Sequence, residues 1–285
     1  VSLYLKNGAE GGEEMFFFLI LQENDYMAEQ IKISVVINTY NAERYLKRVL
    51  ESVKEFDEVF VCDMESTDFT CQIAEQMGCR VVTFAKGDCR IVEPARQFAI
   101  DSAAYPWVLV VDADELVSAE LREFLYKKVL EMETSETKGL AIPRKNYFMG
   151  RFMHATYPDY ILRFFDKRVT KWPPEIHTSP QVDGAVERID AKRLSLAFEH
   201  LANDSVRDIL RKNNVYSDYE VPRRRKKNYG IAALVYRPAF RFLKSYLFKG
   251  GWRDGVAGFI YAALQAYYQF EVVAKLVEER KNGVQ

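Results

Sequence analysis

The sequence predicts an α/β domain: a mostly parallel sheet flanked by helices, followed by a helical tail. Three observations predict it. Between residues 33 and 132, four short apolar runs rich in β-branched residues alternate with four segments of helical periodicity. The runs are continuously apolar rather than alternating, the pattern of parallel strands buried on both faces. From residue 204 onward the remaining pattern is helical.

The elements follow in order. Residues 33–37 (Ile-Ser-Val-Val-Ile) read as a buried strand, and residues 41–54 as a helix through Tyr45, Leu46, Val49, Leu50 and Val53. Residues 58–62 form the second strand. A helix over 67–77 ends at Gly78, where a C-terminal cap favours glycine. Residues 80–84 are the third strand, 95–104 a helix, 107–111 the fourth strand and 119–132 a helix. After residue 137 the alternation stops. Only short strand-like pieces remain, at 140–142 and 160–165, before the helices begin. This divides the chain into an N-terminal extension (1–26), a first half (27–137), a second half (138–203) and a helical region (204–285).

Composition narrows the function. Forty basic residues against 41 acidic ones leave a net charge of -1, so the chain is no general polyanion binder and any basic surface must be local. With 48% hydrophobic and 28% charged residues it has a core and is not disordered. Cys62, Cys71, Cys79 and Cys89 make no C-x-x-C pair and have no histidine nearby, so they read as ordinary thiols in a reducing compartment. The apolar run at 15–21 is too short to span a bilayer, and acids precede it (Glu10, Glu13, Glu14), the wrong flank for a signal peptide.

No G-x-G-x-x-G follows the first strand and no G-x-x-x-x-G-K-[ST] occurs, which argues against a dinucleotide dehydrogenase and a P-loop NTPase. Ligands of parallel sheets bind at the carboxyl ends of the strands. Four polar clusters fall there, at 38–41, 63–68, 86–88 and 112–115. In the last, Asp112 and Asp114 flank Ala113 and point the same way if the segment is extended. Two adjacent carboxylates suit a hard divalent ion, Mg²⁺ or Mn²⁺, that also takes substrate phosphates. A solvated loop or helix cap is the alternative reading of the triplet alone.

Residues 33–41 (Ile-Ser-Val-Val-Ile-Asn-Thr-Tyr-Asn), 63–68 (Asp-Met-Glu-Ser-Thr-Asp), 95–100 (Ala-Arg-Gln-Phe-Ala-Ile) and 112–115 (Asp-Ala-Asp-Glu) resemble, in order and spacing, the motifs of family 2 glycosyltransferases. Gln97 stands where that family usually has Asn. The resemblance implies a GT-A fold with a Rossmann-like sheet, and a nucleotide-diphosphate sugar donor. It places Thr39, Tyr40, Asp63 and Arg96 around the base and ribose, with Glu43 a further candidate. Asp112 would touch ribose or metal, and Asp114 would ligate the metal. Residues 157–165 (Tyr-Pro-Asp-Tyr-Ile-Leu-Arg-Phe-Phe), His177, 182–184, His200, 237–246 and 250–255 are similar to bacterial glucosyltransferases of lipopolysaccharide core assembly. That implies an inverting transfer of a hexose, most simply glucose from UDP-glucose, to a lipid-linked or core glycan.

In those relatives a glutamate follows the histidine; here Thr178 does. Inversion on an acceptor hydroxyl needs a base, which threonine cannot be. Three readings stay open: Glu175 is the base, Asp159 is the base, or the acceptor is a phosphate and needs none. The last would make the enzyme a polyprenyl-phosphate sugar transferase. A catalytically inactive nucleotide-sugar-binding protein is the non-enzymatic alternative. His177 reads equally as a metal ligand beside Asp114 or as a structural histidine; His200 reads as structural, and His154 has no assigned role.

Residues 221–253 contain ten cations and no acid, and residues 256–270 carry no charge. Tyr236, Phe240, Leu243 and Leu247 share a helical face, with Arg237, Arg241 and Lys244 beside it. A basic amphipathic helix of this kind reads as a peripheral element on an anionic membrane surface, at the inner face of the cytoplasmic membrane. No nucleic-acid module is recognisable.

Overall fold

The four apolar runs form one half of a mixed sheet. The computed structural model describes residues 31–87, 92–175, 178–202, 205–227 and 229–283, so the expected extension over 1–26 lies outside the described residues. Strand β1 (Ile33–Thr39) is buried throughout and leads into helix α1 (Glu43–Val53), which buries Leu46, Val49, Leu50 and Val53. Then come β2 (Glu58–Asp63), α2 (Thr70–Gln76), β3 (Arg80–Thr83), α3 (Glu93–Asp101), β4 (Trp107–Asp112), β5 (Glu115–Leu116) and α4 (Ala119–Thr134), the last capped by Ser118 accepting from the Leu121 amide.

Successive residues of β1 point to opposite faces, and each face has its own core. Val35 and Ile37 join Leu46, Val49, Leu121 and Leu125 on one side. Val36 joins Phe60, Ala99, Val110 and Trp172 on the other. This two-sided burial is why the strands read as unbroken apolar runs.

The second half is where the structure exceeds the expectation. Instead of short pieces, β6 (Thr137–Phe148) is twelve residues long; the hairpin strand β7 (Arg151–Phe152) and β8 (Asp159–Asp166) follow. Short strands β9 (Thr170–Lys171), β10 (Gln181–Val182), β11 (Ala185–Arg188) and β12 (Phe198–His200) complete the set. The main sheet runs β3-β2-β1-β4-β8-β6-β12-β5. Its first four strands are mutually parallel, and β8 is antiparallel to both β4 and β6. The chain steps outward from β1 to β3, then returns to the other side of β1 with β4. That reversal makes the gap between β1 and β4 the switch point where such sheets bind ligands. Asn38 lies directly opposite Asp112 there.

The tail comprises α5 (Val206–Arg224), α6 (Ala233–Leu243), a π-helical turn (Lys244–Phe248), a 3₁₀ turn (Gly251–Asp254) and α7 (Gly255–Lys281). Among the described residues no helix is long and apolar enough to cross a membrane. The α6–α7 hairpin closes tightly: a Cβ on Gly258 would run into the Gly251 carbonyl. Ile209, Ala257 and Leu264 pack with Phe148 and Met153, joining the tail to the end of β6.

A buried carboxylate fixes that junction. Asp254 accepts from the His154 amide at 2.9 Å, the Ala155 amide at 3.0 Å, and the His154 ring Nδ1 at 2.7 Å. His154 thereby gains a role the sequence did not suggest. Asp254→Ala would leave two amides without partners, each costing about 1–3 kcal/mol. The expected loss is about 3 kcal/mol of unfolding free energy in urea, and a loss below about 1 kcal/mol would show that the junction does not depend on this carboxylate.

Candidate active site

A cleft of about 1110 Å³ opens at the switch point, between the ends of β1 and β4 and the helices α5 and α7. Asn38, Thr39, Tyr40, Arg96, Asp112, Asp114 and His200 line its sheet side; Arg211, Lys212, Asn213, Tyr216, Tyr261 and Gln265 line its helical side.

Asp112 ends β4 and is gripped on both oxygens. Arg96 Nη2 donates to Oδ1 at 2.7 Å and Arg163 Nη2 to Oδ2 at 2.8 Å. Both guanidiniums lie over the buried Trp172 ring, 4.8 and 5.2 Å from its centre. Burial opposes the charge of Asp112, yet Arg163 and then Arg96 outweigh it and hold the carboxyl well below the usual range. Next along, Glu115 is fully buried. It accepts from the Asp112 amide at 3.1 Å and from Arg144 Nη1 at 3.0 Å. Burial, then the Asp112 charge, push its carboxyl up, against the pull of Arg163 and Arg144.

Arg144 continues the chain of charges to Asp159, donating from Nε at 3.0 Å and Nη2 at 2.7 Å to the same Oδ2 that Asn146 Nδ2 reaches at 3.1 Å. Burial raises the Asp159 carboxyl, but Arg144 and these hydrogen bonds lower it more, so it lies below its ordinary value. With its amide nitrogen on Asp159, Asn146 turns its oxygen to His200 Nδ1, 2.7 Å away. The ring must therefore donate from Nδ1, and a neutral ring then presents the Nε2 lone pair toward Asp114 Oδ2 at 3.6 Å. Two acceptors facing each other at that distance are satisfied by a proton or a cation between them.

Asp114 and His200 are thus the pair that could hold a divalent ion. The described residues contain no group of three or more His, Cys, Asp or Glu placed for one, and both oxygens of Asp112 are taken. Two protein ligands with the rest from phosphate and water suit Mg²⁺ or Mn²⁺, which keep several positions for substrate. His177, the histidine the sequence placed beside Asp114, lies outside the described residues. His200 takes that place in the structure, where the sequence suggested only a structural role. The Asn146–Asp159 pairing that aims its ring has no local sequence signal.

The other candidates sit as follows. Thr39 Oγ1 donates to Asp63 Oδ1 at 2.8 Å, and Ser66 donates to Asp63 from its amide at 2.8 Å and hydroxyl at 2.6 Å. Asp63 is buried beneath Thr39 and organises the loop after β2. Tyr40 is exposed at the mouth with Lys86 Nζ 3.8 Å from its ring centre. Glu43 accepts from the Phe69 amide at 3.1 Å and does not line the cleft. Glu175 is exposed and outside the cleft lining, and the Thr178 hydroxyl is spent on the Pro173 and Glu175 carbonyls.

Sequence reasoning missed Arg163, quoted within residues 157–165 but given no role, and the α5 cations Arg211 and Lys212. These two have no ion pair among the described residues and face the end of β4 across the cleft. Three buried groups around the cleft keep polar atoms without partners among the described residues: Asn38 Oδ1, Arg96 Nη1 and Asn213 Nδ2. Such atoms are ordinarily satisfied by a ligand or water. The described thiols carry no comparable chemistry: burial pushes Cys62 up to about 12 and Cys79 up to about 11.

Comparison with known proteins agrees with this geometry. The family model described as glycosyl transferase family 2 matches residues 34–179. The lipopolysaccharide core biosynthesis glycosyltransferase LpsC of Rhizobium meliloti is 27% identical over 263 residues, 88% of this chain and 94% of the relative. The uncharacterised glycosyltransferase RT0209 of Rickettsia typhi is 27% identical over 267 residues, 87% of each chain. Among solved structures, S. aureus TarS 1–349 aligns at a TM-score of 0.44 with 17% identity, over 89% of this chain and 92% of that one; this likeness is too distant to carry an argument. The matched span covers β1 through β9 and half of the chain, so the switch-point cleft with its Asp112–Asp114 pair belongs to a family 2 glycosyltransferase of GT-A fold.

Proposed function

We propose that the enzyme transfers a hexose, with inversion, from a UDP-sugar to a lipid-linked or lipopolysaccharide-core glycan. UDP-glucose is the simplest donor. The observation that carries the reading is the pairing of Asp114 with His200 across the cleft from Arg211 and Lys212. This puts a cation site and two further positive charges around a space suited to a diphosphate. Asp114 and His200 would hold Mg²⁺ or Mn²⁺, which offsets the charge of the departing nucleotide. Arg96 and Arg163 fix Asp112, and with it the start of the loop that carries Asp114. Thr39 and Tyr40, with Asp63 behind them, border the mouth where the nucleoside would lie, and Glu43 braces the same loops. The place of LpsC in lipopolysaccharide core biosynthesis supports a glycolipid acceptor, and the basic aromatic tail supports an anionic membrane surface at the inner face of the cytoplasmic membrane. In this reading residues 27–137 hold the donor, 138–203 face the acceptor and 204–285 meet the membrane.

The base distinguishes two readings. Asp159 is committed to Arg144 and Asn146, which makes it a weak base. Glu175 has no hydrogen bond or ion pair from its carboxylate among the described residues, but it stands outside the cleft lining, so it would serve as base only for an acceptor hydroxyl that approaches from beyond that lining. The poor standing of Asp159, with Thr178 in place of glutamate, favours as a second reading a phosphate acceptor such as a polyprenyl phosphate, which needs no base.

The test is calorimetry followed by turnover. UDP-glucose should bind in Mn²⁺ and lose at least about tenfold in affinity in EDTA. Glu175→Gln should then cut transfer by about 10²–10⁴-fold with donor affinity unchanged if the acceptor is a hydroxyl. Unchanged transfer in both Glu175→Gln and Asp159→Asn would instead support the phosphate acceptor. Failure of every UDP-sugar to bind would overturn both readings.

A further inference from the structure

The α6–α7 hairpin has two faces with opposite chemistry. Its inner face is polar: Arg237 Nη2 donates to Gln269 at 2.8 Å, Arg241 Nη2 to Gln265 at 2.8 Å, and Arg241, Tyr261 and Gln265 line the cleft. Its outer face is apolar and uncovered by any of the described residues. Phe240, Leu243 and Leu247 stand exposed; Phe248 is 81%, Trp252 59% and Val256 72% exposed. The π-helical turn over Lys244–Phe248 adds a residue per turn, so Leu247 and Phe248 both emerge. The surface is ordered: Phe242 and Tyr246 pack edge-on against Phe259 of α7, which holds the two helices in register beneath it.

The charges also divide. Arg224 pairs with Glu220, and Arg225 with Glu279 at 2.9 Å. Two of the five cations at 223–227 are therefore paired within the tail, in the run that the sequence marked as the charged element. Lys244, Lys249 and Arg253 are exposed and have no ion pair among the described residues. They border the apolar residues, Lys244 and Lys249 from the side where they share a small cavity with Arg241, Tyr261 and Gln265, and the one acid nearby, Asp254, is buried on His154.

We propose that this outer face, with Phe248 and Trp252 exposed on it and Lys244, Lys249 and Arg253 along its border, docks the enzyme on an anionic lipid bilayer. Aromatic and aliphatic side chains bordered by unpaired cations match the acyl–headgroup boundary. Self-association through the same patch would bring these like charges together across a two-fold axis. The apolar run at 15–21 offers seven residues against a surface that spans α6, both turns and the start of α7. Because the inner face of the same hairpin roofs the cleft, docking sets the cleft beside the bilayer. The docking deepens the membrane-surface part of the reading above, and the orientation rests on its glycolipid acceptor.

Trp107 and Trp172 are buried, so Trp252 is the tryptophan whose emission can report contact. The experiment mixes the full chain with phosphatidylglycerol–phosphatidylethanolamine vesicles, without nucleotide, at low and high salt. It reads tryptophan emission and co-sedimentation. A blue shift with vesicle binding that weakens as salt rises is expected. Phe248→Ser with Val256→Ser should lower the vesicle partition coefficient at least about tenfold at both salt concentrations. Lys244→Ser, Lys249→Ser and Arg253→Ser together should lower it about tenfold at low salt and little at high salt. Retained far-ultraviolet dichroism shows the variants folded. Three results would each overturn the proposal: a chain that stays in the supernatant at low salt, a blue shift that follows protein concentration without vesicles, or vesicle binding that appears only when residues 1–26 are removed. UDP-sugar binding, measured without vesicles, separates failure of docking from failure of the proposed function.

Discussion

Asp114→Asn should reduce sugar transfer by about a thousandfold or more while leaving the fold intact. The carboxylate follows β4 directly, and among the described residues its side chain meets only His200 Nε2 within 4 Å as an ion-pair partner, at 3.6 Å, too long for a hydrogen bond. Its backbone carbonyl accepts from the Leu201 amide at 2.8 Å, a bond the substitution keeps. The side chain therefore contributes little to stability, and a shift of about 0.5 kcal/mol or less in urea unfolding is expected. Removing its charge leaves His200 as the single protein ligand for a cation. Metal-dependent UDP binding should weaken with turnover, and EDTA should no longer change the affinity of the variant. His200→Ala should act in the same direction, because Asn146 aims that ring at Asp114. Calorimetry of UDP with and without Mn²⁺ checks both. If EDTA leaves wild-type binding untouched and Asn at 114 binds UDP as the wild type does, the two residues do not form a cation site.

How much of this could be read in the sequence depended on burial. Strands β1, β2 and β4 are covered on both faces and the edge strand β3 keeps two half-buried valines, so their apolar runs announced them to within two residues. Strands β6 and β8 carry Arg144, Asn146, Asp159 and Arg163 for the site, and these polar positions broke the pattern that marks a strand. The sheet therefore came out longer and more antiparallel on that side than its sequence suggested. The acidic pair was legible because its two members are adjacent in the chain. Its partners were not: Arg163 lies 51 residues from Asp112, and Arg144 lies 29 from Glu115. No local spacing encodes such pairings, and only the folded sheet makes them. The same holds for His200, which meets Asn146 across 54 residues. The tail shows the limit from the other side. Its composition marked the basic run at 223–227, but the structure pairs Arg224 and Arg225 internally and leaves later cations beside the apolar face.

Asp112→Asn should be the most destabilising single change at the site. Arg96 and Arg163 are both more than nine-tenths buried, and each donates to one oxygen of Asp112. Neutralising that carboxylate leaves two desolvated guanidiniums over Trp172 without the anion between them. Breaking a buried pair by removing one partner costs about 3–5 kcal/mol. One effect works the other way: Glu115, raised by burial and then by the charge of Asp112, would be relieved of that repulsion. A net loss of about 3 kcal/mol is expected at neutral pH. Arg163→Leu in the same chain should restore part of it by removing one orphaned charge, a recovery that simple loss of a hydrogen bond would not show. The sign of the pH dependence follows from the direction of the shift. Asp112 is depressed in the folded state, so its contribution is complete above the unfolded value of about 3.9 and is lost as pH falls toward the folded one. The gap between wild type and variant should therefore be constant from neutral pH down to about 5 and narrow by as much as about 1.4 kcal/mol per pH unit below about 4. Urea unfolding of both proteins across that range measures it. A gap under about 1 kcal/mol at neutral pH, or one that widens in acid, would mean that the two arginines find another counter-charge and that Asp112 does not organise the site.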